Sequence, residues 1–268
     1  MSKSIVVTGS TRGIGRGLAE NFLKLGAKVT VSGRSAADVK ALVKELAFIH
    51  GKENVAGAAC DITDAKQLAG LWSAATKAFG SVDVWINNAG ISIDRKPVWE
   101  LPAEDVMKIV DINLGGALLS ARQALIGMTG QGHGQVWLME GFGSDGMSGA
   151  GMVSYGATKR GVNYLTKALR KDAKDTGVHI CALSPGIVVT DLLIGDYDLS
   201  SDEWKKTKKI MNILADHVET VTPWLAQNVL KTDKDGARVA WLTKGKAFKR
   251  FAGAAFNKRD LFADVPGA

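Results

Sequence analysis

A chain of 268 residues with 46% hydrophobic content and a formal net charge of +7 can bury the core of one sizeable α/β domain. Its first apolar run starts within a few residues of the initiator Met, leaving no room for a secretory signal, and no apolar stretch approaches the roughly eighteen residues of a membrane span. A cytoplasmic protein with no integral membrane segment is expected, and Cys60 and Cys181, lacking CxxC spacing, read as small buried hydrophobes and not as a disulfide.

β-branched runs alternate with segments of helical period along the chain. SIVVT leads into GIGRGLAENFLKLG, where Gly26 supplies a stop, and KVTVS leads into AADVKALVKELAFIHG, stopped by Gly51. There follow VAGAAC, a helical DAKQLAGLWSAATKAFG, VDVWINN and a long helix from near Pro102. GQVWLM, a helix from about Ser154 and VHICALS complete the series. Such alternation predicts an α/β fold: a single Rossmann-like, doubly wound parallel sheet with helices on both faces, spanning residues 1–268 as one domain. Ligands of these sheets bind beyond the carboxyl ends of the strands.

TGSTRGIG, residues 8–15, stands between the first strand and the first helix. Gly9, Gly13 and Gly15 permit a tight turn and close approach of a diphosphate to the backbone, and the helix N-terminus favours its charge. Gly9, Ser10, Thr11, Arg12, Gly13, Ile14 and Gly15 are therefore candidate dinucleotide contacts. An acid at the end of the second strand would bind an adenosine ribose and repel a 2′-phosphate. Gly33 and Arg34 stand there instead, and with Arg12 they offer two guanidiniums for a phosphate, so NADP(H) is the expected cofactor.

Tyr155 and Lys159 are four residues apart, which places them on one face of a helix. An ammonium beside a phenol stabilises the phenolate and brings the tyrosine into the range of acid/base catalysis. A YxxxK spacing alone is common by chance. Joined to the glycine turn, to NNAG (residues 87–90) and to SPG (residues 184–186), it is not.

In these motifs the chain resembles the short-chain dehydrogenase/reductase family. The likeness runs from residue 5 to about residue 190 and rests on TGSTRGIG, DITD, NNAG, DINLGG, YGATK and SPGIVVT in family order. It implies that Asp61 and Ile62 line the adenine pocket and that Asn88, Ala89 and Gly90 run beside the cofactor. Pro185, Gly186, Ile187 and Thr190 would meet it at the nicotinamide end. It further implies that Asn113 holds a water in a proton relay, that Tyr155 protonates the carbonyl oxygen as hydride arrives, and that Lys159 holds the nicotinamide ribose and tunes the tyrosine.

The family's serine, thirteen positions before the tyrosine, is absent. That position is Phe142, and alignment by the end of the strand gives Gly141. Ser144 is the nearest replacement hydroxyl, ahead of Ser148 and Ser154. Glu140 also lies at the strand end, where a carboxylate would replace a hydroxyl poorly unless protonated. MEGFGSDG, YGATKRGVNYLTKAL, SPGIVVTDLL and MNILADHVETVTPWLAQNVL are similar to the chlorophyll b reductase branch of the family. That likeness implies reduction of the C7 formyl group of chlorophyll b or its chlorophyllide. The alternatives are oxidoreduction of a small ketone, acyl thioester or secondary alcohol, and a non-catalytic NADP(H)-binding protein.

Residues 191–217 occupy the place of a substrate lid, with Leu192, Leu193, Trp204, Ile210, Met211 and Leu214 available to cover an apolar ligand. Residues 244–268 form a basic segment in which Lys244, Lys246, Lys249, Arg250, Lys258 and Arg259 are interleaved with Phe248, Phe251 and Phe256, with no acid before residue 260. It reads as a solvated helix face, with peripheral membrane contact as the alternative. No nucleic-acid motif accompanies it. The family's last strand is expected to be missing or remade as a helix, which makes a homodimer a safer expectation than a homotetramer. His50, His133, His179 and His217 lack ligand spacing, so no metal is expected.

Overall fold

The structure, a computed structural model, describes residues 2–195, 197–254 and 259–265. From the N-terminus the chain forms β1 (Ser4–Val7), α1 (Gly13–Lys24), β2 (Lys28–Gly33), α2 (Ala36–His50), β3 (Val55–Ala59) and α3 (Ala65–Phe79). Next come β4 (Val84–Asn87), α4 (Ala103–Val110), α5 (Ala117–Gln131), β5 (Gly134–Met139), α6 (Val153–Asp172) and β6 (Val178–Ser184). The last third holds β7 (Val188–Val189), α7 (Asp191–Ile194), α8 (Asp202–Leu214), β8 (Asp216–His217), α9 (Val218–Lys231), β9 (Arg238–Ala240) and α10 (Lys244–Gly253).

Seven strands make one parallel sheet in the order β3-β2-β1-β4-β5-β6-β9. Two-residue alternation divides its side chains between two cores. Ile5, Val7, Val84, Ile86, Trp137 and Met139 pack under α1, α2 and α9, whereas Val6, Trp85, Val136 and Leu138 pack under α3, α5 and α6. The strand order reverses between β1 and β4, and in such sheets the ligand crevice forms at that point, beyond the carboxyl ends of the strands. Cys60 and Cys181 are free and buried, and burial pushes their thiols up to about 12 and about 11.

Three expectations need correction. The last strand is present: β9 pairs with β6 through Ala182, Leu183 and Ser184, and the basic segment follows it as α10. Phe256 and Lys258 lie outside the described residues. The long helix from Pro102 is interrupted by a π turn, Asp111–Gly116, between α4 and α5. Taken together, Ala103–Gln131 is also long and apolar enough to cross a membrane by composition. In the fold its small residues instead seat it on the sheet, with Ala117, Ala121, Ala124 and Met128 in the second core.

Candidate active site

The glycine turn is shaped by what glycine alone allows. Gly9 and Gly13 have φ of 62° and 55°, a region that costs other residues strain. A Cβ on Gly9 would lie 2.8 Å from Ala89 Cα, and one on Gly15 would lie 2.2 Å from the Gly9 carbonyl oxygen. Thr8 Oγ1 accepts from the Asn88 and Ala89 amides, and Asn88 Nδ2 donates to the Thr8 and Gly9 carbonyls, which binds β4 to the turn. Helix α1 starts there with no side-chain cap and no acid in its first turn. Its free N–H groups and positive dipole end form a cradle that fits a diphosphate.

Not every turn residue faces that cradle. Ser10 is fully buried, its hydroxyl donating to the Val7 carbonyl and accepting from the Ser32 amide, so it joins the turn to β2. Thr11 packs against Gly33, and Ile14 packs on the first core. Arg12 and Arg34 are exposed and without an ion pair among the described residues, whereas Arg16 is bound to Glu20 and Glu45. The Asp61 carboxylate accepts from Thr63, and the Ile62 side chain is buried against Gly116, so Ile62 can meet a cofactor only through its main chain. Asn87, at the end of β4, has a buried amide with no hydrogen-bond partner among the described residues. Buried amides rarely stay unpaired, and this one, which sequence reasoning passed over, lies at the sheet's switch point.

Helix α6 carries Tyr155 and Lys159 to the same crevice. Lys159 is buried, donates to the Met139 carbonyl at 3.3 Å, and has its ammonium 5.7 Å from the Tyr155 ring centre. Burial lowers its pKa from an ordinary 10.5 to about 8. A Cβ on Gly141 would come within 2.6 Å of the Tyr155 hydroxyl and 3.2 Å of Lys159. Gly141, and not Phe142, is thus the loop residue against the tyrosine oxygen. Asn113 lies in the π turn with its side chain spent on both main-chain groups of Ile91, each at 2.8 Å. Any water it holds must bind its main chain.

The replacement hydroxyls separate clearly. Ser144 is buried, accepts from the Gly141 amide at 3.0 Å and donates to the Lys159 carbonyl at 3.2 Å, which makes it a staple of the loop. Ser148 is exposed, and Ser154 is buried with a hydroxyl that has no partner among the described residues. Glu140 is turned away from the pair. It accepts from Asn163 at 3.1 Å and from Arg238 at 2.7 Å, which locks β5 to α6 and to edge strand β9.

A profile described as short chain dehydrogenase matches residues 3–198. The chain belongs to the short-chain dehydrogenase family. This dehydrogenase is 37% identical over 268 residues to chlorophyll(ide) b reductase NOL of Arabidopsis thaliana, covering 96% of this chain and 75% of that protein. Among solved structures it is similar to an alcohol dehydrogenase from Thermococcus sibiricus complexed with 5-hydroxy-NADP, with a TM-score of 0.75, 22% identity, and 90% and 96% of the two chains covered. It is likewise similar to a 3-ketoacyl-(acyl-carrier-protein) reductase from Brucella melitensis complexed with NADH, with a TM-score of 0.76, 24% identity, and 89% and 96% covered. These two likenesses concern the fold. Membership makes the chain an oxidoreductase that uses a nicotinamide dinucleotide.

In this short-chain dehydrogenase the third wall of the crevice comes from SPGIVVT. Gly186 lies against Leu242, Thr190 caps α7, and the Thr190 methyl lies 3.6 Å from where a Gly13 Cβ would be. The proposed lid needs correction. Trp204 and Met211 are buried in a third core with Phe262 from the C-terminal segment, with Leu193, Ile194 and Tyr197 packed against it. Only Leu192 and Ile210 of the six apolar lid residues are exposed. Around Tyr155 the apolar exposure lies elsewhere, on Phe142 (38%), Met147 (62%) and Val153 (57%) of the loop and helix start that bring the tyrosine in.

Proposed function

We propose that the protein is an NADPH-dependent carbonyl reductase acting on a large apolar aldehyde, with the C7 formyl of chlorophyll(ide) b as its substrate. The observation that carries the reading is the exposed apolar set of Phe142, Met147 and Val153 on the loop and helix start that bring Tyr155 in. A planar macrocycle needs such an open apolar wall, whereas a small ketone needs an enclosing one. The likeness to the Arabidopsis reductase supports it, since it runs through 96% of this chain and so includes the half in which substrate is selected. The free guanidiniums of Arg12 and Arg34 and the lack of an acid at the end of β2 support NADPH over NADH.

When bound in the glycine cradle, the reduced cofactor supplies a hydride. Tyr155 donates the proton to the carbonyl oxygen, and Lys159 keeps the resulting phenolate stable and orders the ribose. Asn113 fixes the π turn against Ile91, so that its main chain can replenish the proton by way of water. Ser144 is engaged in the loop, and the Ser154 hydroxyl, though without a partner among the described residues, is buried, so neither stands in directly for the family's serine. The relay of Tyr155, Lys159 and Asn113 argues for turnover over a purely binding role.

The test is reduction of chlorophyllide b by purified protein with NADPH and, separately, NADH. Hydroxymethyl product formed with NADPH and lost in Tyr155→Phe is expected. NADPH binding without turnover of this pigment, together with reduction of small ketones, would transfer the substrate to that class. Equal use of NADH would overturn the cofactor assignment.

A further inference from the structure

Helix α10 meets α8 at a concavity of about 370 Å³ lined by Asn212, Ile213, Lys246, Lys249, Arg250 and Arg259. Four cations converge there. Two of them, Arg250 and Arg259, pair with a single carboxylate, Asp216, which is buried on β8. Burial alone would raise the Asp216 pKa, but hydrogen bonds from Trp241, Arg250 and Arg259 outweigh it and hold the carboxyl below its usual range.

The two arginines are held rigidly. Arg250 donates to the Leu214 carbonyl at 2.8 Å and Arg259 to the Ala215 carbonyl at 2.9 Å, groups that the end of α8 leaves without helical partners. Both also reach Asp216 at 2.7 Å. The lysines are different. Lys249 has no acceptor among the described residues, and Lys246 has only the Trp241 ring, 3.0 Å from its ammonium. Burial and the nearby Arg250 and Arg259 lower the Lys246 pKa, which is the behaviour of a cation crowded by like charge.

We propose that this concavity is a binding site for a phosphate group, as a phosphate monoester or a diphosphate. One carboxylate against four cations leaves room for a multiply charged anion. The guanidiniums are already oriented by α8 and Asp216, so little ordering opposes binding. The site is distinct from the dinucleotide cradle, which is built from β1, α1 and β4. Because its walls are the C-terminal end of α8 and the face of α10, an occupant ties α8 to the basic segment. The outer face of α10 carries Phe248 (74% exposed) and Phe251 (50%), so the phosphate can belong to a soluble ester or to a lipid headgroup.

The experiment is calorimetric titration of the full chain, loaded with one equivalent of NADPH, with pyrophosphate and with vesicles containing phosphatidic acid. Lys246→Gln/Lys249→Gln is run in parallel, with its NADPH affinity and melting temperature as controls for folding. Saturable pyrophosphate binding, weakened by about tenfold or more in the variant, establishes a soluble ligand. Binding to the vesicles alone, lost in the variant, establishes a headgroup. In either case hydrogen exchange at the end of α8 slows on binding in the wild type and not in the variant. No binding of either probe, or binding equal in the two proteins, overturns the proposal.

Discussion

At Gly141 the absence of a side chain is part of the site. A serine placed there to match the family pattern would bring its Cβ to 2.6 Å from the Tyr155 hydroxyl, and the tyrosine, the movable partner, would have to yield. Gly141→Ser is accordingly expected to melt near the wild type and to lose about a hundredfold in kcat, the cost of a misplaced reacting group. A gain in activity would instead show that Gly141 is a vacant serine position. Lys159 sets the pH response. Its lowered pKa of about 8 means that the ammonium is present below that pH and lost above it. Since the charged form stabilises the phenolate, kcat/KM for the cofactor, which reports the free enzyme, should decline as pH rises through about 8. In Lys159→Arg, whose guanidinium stays charged, any remaining activity should lack that decline. Tyr155, Lys159 and the glycines were legible in the sequence because helical spacing and φ preference are local properties. The spent hydroxyl of Ser144 was not, because its partners are main-chain groups of Gly141 and Lys159.

Among the elements, the lid shows how packing redirects an apolar pattern. Trp204 and Met211 recur on α8 as substrate-covering residues would, yet both are buried against Phe262. Trp204 and Phe262 meet edge to face with centroids 5.1 Å apart, and Tyr197 approaches Trp204 at the same distance. Phe262→Ala removes an aromatic ring from this cluster and should destabilise the third core by about 3 kcal/mol or more. Hydrogen exchange is expected to accelerate through α8 while the central strands keep their protection. Uniform acceleration in both would show that the third core is not a separate unit. The basic segment was misjudged for a related reason. Arg250 and Arg259 bind the end of α8 and Asp216, partners that lie more than thirty residues away in the chain.

Across the whole molecule, the sheet leaves α5 and α6 with exposed apolar groups on the side away from it, among them Leu118, Ile126 and Tyr164. An association of two copies through these helices is expected, read as twice the chain mass by light scattering. Ile126→Glu with Tyr164→Glu should return the monomer, and a wild type that is monomeric at high concentration would exclude the interface. The alternation of strands and helices as far as β6, the glycine turn and the tyrosine-lysine spacing followed from the sequence itself, because alternation, helical period and glycine placement act over a few residues. Only the tertiary structure decided that β9 closes the sheet, that Glu140 belongs to Arg238 and Asn163, and that the lid's aromatic residues face Phe262. Each of these depends on groups far apart in the chain, and their pairing is chosen by which buried charge or apolar face the completed fold leaves without a partner.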